Sequence, residues 1–319
     1  MDEFDIIAKI FAPLATAPFA FGLKDDAAAI PPRPGFDMVV TTDAVAEGTD
    51  FFAFDTPSGI ARKALRVNLS DLASKGAEPA FYLLNLSLPA TVTADWLRSF
   101  AQGLRADQED FEIGLLGGDT GRTEGPLSIA VTAMGYLPEG TLVRRSGAKP
   151  GHDLYVTGTI GDSGGGLQIR REKLADISVQ HRNFLLDAYH LPKPPVRFGS
   201  SLRRFASASI DVSDGLIADL DHVAKISGVK LVLDAAAIPR SNALRAFWGD
   251  DAEAIIRATT VGDDYQIAFT ASDHESVMAA ARETAVTVTR IGRVEGGEGV
   301  ELQFEGRKLA VPKPGYRHF

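Results

Sequence analysis

Short acidic segments recur along this 319-residue chain: Asp25 and Asp26; Thr41, Thr42 and Asp43; Asn68, Ser70 and Asp71; Gly117, Gly118, Asp119 and Thr120; Asp211, Ser213, Asp214 and Gly215; and Gly262, Asp263, Asp264 and Tyr265. They stand at the ends of expected elements beside apolar runs, where an unpartnered carboxylate is costly. Carboxylates gathered in one cleft repel one another and require cations. Mg²⁺ suits them, because it takes oxygen ligands and commonly bridges one or two carboxylates to substrate phosphates. Each segment taken singly has a plainer reading, since an Asp-Gly pair is ordinarily a turn and a Ser or Asp ahead of a helix an N-cap. Asp71 resists that reading because it falls inside a helical pattern with apolar neighbours, and Asp211 because it follows the apolar end of a strand. As a set, the aspartates point to a nucleoside triphosphate held through several Mg²⁺ ions.

Composition supports a metal-mediated grip on an anion. A formal charge of -9 disfavours nucleic-acid and anionic-membrane surfaces, which rely on clustered Lys and Arg. The chain contains no cysteine, which removes disulfides, thiolate catalysis and Cys-based zinc sites and fits a reducing cytoplasm. Asp2, Glu3 and Asp5 stand where a signal peptide would carry Lys or Arg, and Pro13 and Pro18 interrupt the apolar stretch that follows. Neither secretion nor a membrane span is expected.

Other signals are open to two readings. The glycines from Gly158 to Gly166 could cradle a phosphate at a helix N-terminus or serve as a packing turn, and they do not form the Walker pattern. Arg144 and Arg145 could present guanidinium forks to phosphate or simply be solvated at a linker. His152, His181, His190, His222, His274 and His318 show no metal-ligand spacing.

The elements that must position these residues alternate in type. Strands are expected over 36–42, 80–88, 112–116 and 127–137, with helices over 58–77 and 93–106. Turn residues Gly147, Pro150 and Gly151 mark a domain junction. Beyond it, strands are expected over 154–157, 209–212, 230–233, 265–270, 286–291 and 300–304, with a helix after the glycine cluster and another over 216–226. This length fits two domains of roughly 150 residues each.

Read in order, the segments resemble the thiamine-monophosphate kinase family, of the superfamily that includes aminoimidazole ribonucleotide synthetase and selenophosphate synthetase. The resemblance runs nearly end to end and rests on Lys63 to Pro79 (KALRVNLSDLASKGAEP), Gly117 to Thr120 (GGDT), Arg145 to Gly151 (RSGAKPG), Tyr155 to Ser163 (YVTGTIGDS) and Ile210 to Leu216 (IDVSDGL). It implies an α/β N-terminal domain over 1–148 that binds ATP and Mg²⁺ and dimerises through its sheet. An α+β C-terminal domain over 149–319 would complete the active-site cleft. The implied reaction moves the ATP γ-phosphoryl group to thiamine monophosphate, giving thiamine diphosphate and ADP.

By the same resemblance Asp26, Thr41, Thr42, Asp43, Asp71, Asp119, Asp211 and Asp214 would ligate Mg²⁺. Gly118, Asp119, Arg145 and Ser213 would contact ATP, and Asp50, Asp263 and Tyr316 the acceptor. No general base is expected, because a phosphate monoester with a second pKa of about 6 is already mostly dianionic at neutral pH. The chain departs from the family at Asp50, where His is usual, and at Asp263, where the family's Gly-Glu-Asp-Tyr reads Gly-Asp-Asp-Tyr. Both departures fall on the acceptor side. A sister kinase or synthetase with another acceptor is the nearest alternative, and a nucleotide-sensing protein without turnover a more distant one. Selenophosphate synthetase is disfavoured, because its chemistry uses a Cys or selenocysteine that this chain lacks.

Overall fold

The computed structural model describes residues 3–172 and 176–316, so Asp2 and His318 lie outside the described residues. It divides into two compact units, the first comprising Met1–Leu72 and Ala77–Gly140 and the second Ala73–Gly76 and Thr141–Phe319.

The first unit is built on β1 (Phe36–Ala46), β2 (Glu78–Leu88), β3 (Gly114–Arg122) and β4 (Ser128–Pro138), arranged in one sheet in the order β1-β4-β2-β3. β4 runs antiparallel to both β1 and β2, whereas β2 and β3 are parallel and joined through the helix Ala94–Phe111. A parallel pair needs such a crossover. Thr93 caps this helix by accepting from the Trp96 N–H, and it ends at Glu112 in the left-handed conformation.

The helix Pro57–Ser74 carries Asp71. From Ile60 to Ser74 nearly every residue is buried, including Lys63, Arg66, Asn68, Ser70 and Ser74; Asp71 is only half-buried. The buried charges have partners. Arg66 reaches Asp107 through Nε at 2.7 Å and Nη2 at 2.8 Å, and Arg62 Nε meets the same carboxylate at 2.7 Å. These bonds tie Pro57–Ser74 to Ala94–Phe111, which suits a buried carboxylate that would otherwise be costly.

Two expected elements prove longer than the sequence suggested. β1 continues through Asp43 to Ala46, and β3 carries Gly117, Gly118, Asp119 and Thr120 within the strand instead of beyond its end. Glycine and aspartate favour turns locally. Here pairing with β2, in register from Leu83 opposite Gly117 to Leu88 opposite Arg122, overrides that preference.

The second unit holds β5 (Asp153–Thr157), β6 (Ala206–Val212), β7 (Lys230–Asp234), β8 (Gln266–Ala271), β9 (Val288–Glu295), β10 (Gly299–Phe304) and the short β11 (Arg307–Lys308). They form a seven-stranded sheet in the order β11-β10-β7-β9-β5-β8-β6. Among the described residues only the β10–β7 pairing of this sheet is parallel, so this is a mixed α+β unit. Its core gathers Leu154, Val156, Ile210, Val212, Leu220 and Leu231 between the sheet and the helix Leu216–Ser227.

Helices at Val179–His190, Asn242–Trp248, Ala252–Thr260 and His274–Thr284 go beyond those expected from the sequence. Each opens on a capping side chain, Ser178, Ser241, Asp251 and Asp273 respectively, that accepts a backbone N–H in the first turn. Among the described residues no helix is long and apolar enough to cross a membrane.

Candidate functional site

In the first unit, strand and helix periodicity bring two of the acidic segments together. Side chains alternate along a strand, so Thr41 and Asp43 share one face of β1 and Thr42 takes the other. Residues three apart on a helix share a face, as Asn68 and Asp71 do. Thr41 Oγ1 donates to Asp71 Oδ2 at 2.5 Å, and the Asp43 N–H donates to Asn68 Oδ1 at 3.0 Å. Asn68 is itself oriented by donating to the Ala64 carbonyl. Thr42 instead donates to the Val131 carbonyl and accepts from Thr132 on β4.

Asp26 and Asp119 are placed by other elements. Asp26 is exposed in the loop before β1, with its N–H on Asp25. Asp119 lies on β3, the edge of the sheet opposite β1, facing Asn85 across the ladder. Asp50 Oδ2 accepts the Ala46 N–H at 2.8 Å, which folds that side chain back onto its own turn, while Lys63 Nζ donates to the Asp50 carbonyl.

In the second unit, Asp211 stands near the end of β6, and the chain turns through Ser213, Asp214 and Gly215 into the helix Leu216–Ser227. The loop 262–265 and the C-terminal segment both bond to this turn. The Asp263 N–H donates to the Ser213 carbonyl at 2.8 Å, the Tyr265 N–H to the Val212 carbonyl at 2.7 Å, and the Tyr316 N–H to the Asp214 carbonyl at 2.9 Å. Asp263 and Tyr265 both adopt the left-handed conformation, with φ of 67° and 50°. For a bulky residue such as Tyr265 that strain persists only where neighbours enforce it, a feature that clusters at functional sites. Arg145 is exposed, and its segment is pinned by Ser227 Oγ, which accepts from the Gly147 and Ala148 N–H groups.

Two buried carboxylates complete the second unit's arrangement: Asp219, outside the acidic segments singled out in the sequence, and Asp264, which lies within one of them without an assigned role. Asp219 Oδ2 accepts the N–H groups of Ser213, Asp214 and Gly215 at 3.0, 3.1 and 3.1 Å. Burial pushes its carboxyl up to about 8, and neighbouring Asp211 and Asp214 add to the rise. An acid in the first helical turn is a recognisable N-terminal signal, and the sequence carries it here. Asp264 accepts from the Gly161 N–H at 2.7 Å and from the Ser163 backbone, at the start of the helix Asp162–Glu172.

The Asp264 contacts decide how the glycine cluster is used. The first N–H groups of that helix already hold a carboxylate, and a Cβ on Gly166 would lie 2.0 Å from the Leu185 carbonyl oxygen. The cluster therefore serves close helix packing, with an internal acid in place of a phosphate. Burial raises the Asp264 pKa well above its ordinary 3.8. The folded state consequently binds the proton more tightly than the unfolded state and loses stability as pH rises from that ordinary value toward the raised one. Asp264→Asn keeps an acceptor for Gly161 without titrating. The thermal midpoint of the parent relative to this variant is expected to fall, by roughly 2 °C or more, as pH is raised from that ordinary value. Parallel midpoints across that rise would remove the titration.

Comparison with known proteins extends this geometry. Residues 24–137 match the AIR synthase related protein, N-terminal domain, and residues 149–305 the AIR synthase related protein, C-terminal domain. The chain is 40% identical to the thiamine-monophosphate kinase of Caulobacter vibrioides over 99% of its own length and 90% of that protein. The chain belongs to the thiamine-monophosphate kinase family. The crystal structure of the Stenotrophomonas maltophilia thiamine-monophosphate kinase superposes with a TM-score of 0.87 at 39% identity, covering 97% of this chain and 98% of that one. A structure of AaThiL complexed with AMPPCP and TMP superposes at 0.79 with 30% identity, covering 99% and 97%. The fold is thus the two-domain architecture of the aminoimidazole ribonucleotide synthetase-like superfamily.

The donor chemistry in both units fits the magnesium expected in this family. Thr41, Asp43, Asp71, Asp211, Ser213 and Asp214 offer hard oxygen atoms and no sulfur or imidazole. Among the described residues no group of three or more His, Asp or Glu side chains is gathered to hold a metal ion. Mg²⁺ takes oxygen ligands and commonly bridges one or two carboxylates to substrate phosphates.

Proposed function

We propose that this chain transfers the γ-phosphoryl group of ATP to thiamine monophosphate, producing thiamine diphosphate and ADP. The observation that carries the reading is the set of backbone hydrogen bonds that joins Asp263 and Tyr316 to the Ser213–Asp214 turn. Residues expected on the acceptor side are thereby fixed to residues expected on the nucleotide side. The substrates follow from the family, in which one relative is described with an ATP analogue and TMP.

Mg²⁺, when bound, supplies positive charge to the phosphate oxygens. Its proposed protein ligands are Asp26, Thr41, Thr42, Asp43, Asp71 and Asp119 from the first unit and Asp211 and Asp214 from the second. Gly118, Asp119, Arg145 and Ser213 would contact ATP, and Arg145 would offer a guanidinium fork to its phosphates. Asp263 and Tyr316 would contact the acceptor. Asp50 would act there through the turn that its carboxylate closes, because Oδ2 is already engaged by Ala46.

The transfer is an in-line displacement. An oxygen of the thiamine monophosphate dianion forms a bond to the γ-phosphorus as the bond from that phosphorus to the β,γ-bridging oxygen breaks, and ADP leaves. No proton has to be removed from the attacking oxygen, so no side chain acts as a base. Positioning and charge neutralisation carry the rate.

In this reading the domain over 1–148 handles nucleotide and metal and pairs two copies, while 149–319 contributes the remaining contacts. Exposed Met38 and Val40 on one face of β1 support a sheet-mediated homodimer. The reaction belongs in the cytoplasm, without nucleic acid or membrane. ADP release by the purified chain with Mg²⁺ and ATP should require thiamine monophosphate. Equal release with unphosphorylated thiamine, or without any acceptor, would overturn the acceptor assignment.

A further inference from the structure

We infer that Asp219 is a positioning residue for nucleotide binding: it holds the Ser213–Asp214 turn in its ligand-competent shape without touching nucleotide or metal. This rests on the kinase reading above and adds to it a residue that the reading leaves out.

The three consecutive N–H groups of Ser213, Asp214 and Gly215 converge on one oxygen, Asp219 Oδ2. The side chain reaches them from the first turn of the helix that the turn itself leads into. Three bonds to one atom fix the backbone of three successive residues. The carbonyl oxygens on the outer side of the turn then stand where Asp263 and Tyr316 bond to them. A shift of Asp219 would move both sets of contacts together.

The same bonds also determine what the helix N-terminus can do. Converging N–H groups at a helix start are an anion site. Here that site is filled from within the protein, so phosphate oxygens are left to the Ser213 hydroxyl, to the Asp211 and Asp214 carboxylates through cations, and to Arg145. Asp219 is buried, with 3% of its surface exposed, which keeps it from the solvent that delivers ligands.

Two variants separate position from ionisation. Asp219→Asn keeps an acceptor atom at the same reach but removes the ionisable carboxyl. Asp219→Glu keeps a carboxyl and shifts the acceptor by one methylene. Binding of AMPPCP in the presence of Mg²⁺ is read by calorimetry, and hydrogen exchange at the 213–215 amides is read without ligand. Asp219→Asn is expected to bind AMPPCP within about threefold of the parent and to keep the amides protected. Asp219→Glu is expected to lose at least tenfold in affinity and to exchange those amides faster.

Asp273→Ala removes the cap of the helix His274–Thr284 and serves as a control for general destabilisation. It should leave AMPPCP affinity unchanged at a temperature where it is folded. The reverse ranking, with Asn weak and Glu tight, would overturn positioning in favour of ionisation, and equal affinities for the parent and both variants would overturn it outright. Should Asp219→Glu not fold, loss of AMPPCP affinity in folded Asp219→Asn would overturn the inference, and retained affinity with protected amides would uphold it. A parent that binds no AMPPCP would instead overturn the kinase reading.

Discussion

Asp71→Asn is expected to lower turnover by at least about 100-fold, the scale of losing one electrostatic contact to a reacting group, while the thermal midpoint stays within about 3 °C of the parent. The surroundings of the helix Pro57–Ser74 bury nearly every residue from Ile60 onward, and Asp71, like Arg62, is only half-buried. Asparagine has the same shape, and its amide oxygen can still accept from Thr41 Oγ1, the contact made at 2.5 Å by Asp71 Oδ2. The change therefore preserves packing and removes charge. A structural Asp71 would behave in the opposite way, since losing a hydrogen bond to a charged group costs about 1.5–3 kcal/mol of stability. Steady-state kinetics and thermal denaturation on one preparation distinguish the two. A destabilised variant with near-parent turnover would remove Asp71 from the metal-binding group.

Gly118→Ala is expected to destabilise the protein by about 3 kcal/mol or more, through overpacking added to backbone strain. A Cβ at this position would lie 1.8 Å from the Leu84 carbonyl oxygen and 2.6 Å from its carbonyl carbon, in the neighbouring strand β2. These are backbone atoms within the sheet and have no rotamer to escape into. The φ of +153° adds a conformation that side chains rarely adopt. At Gly121, three residues on in the same strand, a Cβ would meet nothing within 4 Å, and φ is not positive. Gly121→Ala should therefore change stability by no more than about 0.5 kcal/mol. Chemical denaturation of the pair without nucleotide tests this. Equal midpoints would show that Gly118 is kept for the approach of ATP alone and not for strand pairing.

Much of this arrangement is legible in the sequence, for identifiable reasons. The strands around Val131, Leu154 and Ile267 and the helix carrying Leu65, Leu69 and Leu72 bury continuous apolar sets, and such sets reveal their periods directly. Asp71 and Asp211 stand out because each places a carboxylate beside neighbours that are buried.

What the sequence does not disclose depends on partners distant in the chain. Gly117 to Thr120 reads as a turn until β2 is paired with it, and no local feature of those residues signals that pairing. The glycine cluster keeps two readings open because the acid that fills its N–H groups, Asp264, lies more than a hundred residues away. Asp219 escapes notice although it lies close to Asp214, because an acid in a first turn is so often a simple cap. The four further helices each have a Ser or Asp cap in plain sight, but their short apolar stripes, such as Leu244 with Ala243 and Ile255 with Ala258, give little periodicity to read.

The two departures from the family acquire different meanings. Asp50, in place of the usual His, accepts the Ala46 N–H through Oδ2, which holds its side chain within its own turn. Asp263 is one methylene shorter than the usual Glu, and Tyr265 OH donates to its Oδ1 at 3.2 Å. The shorter arm is thereby steered from within its own loop.

The central claim is that the γ-phosphorus of ATP becomes the terminal phosphorus of a thiamine diphosphate. The ³¹P spectrum of a mixture of the purified protein, Mg²⁺, ATP and thiamine monophosphate tests it most directly. The expected result is loss of the thiamine monophosphate signal and growth of the coupled pair of thiamine diphosphate, with ADP formed in equal amount. Recovery of the γ-phosphorus as inorganic phosphate, with thiamine monophosphate unchanged, would contradict it.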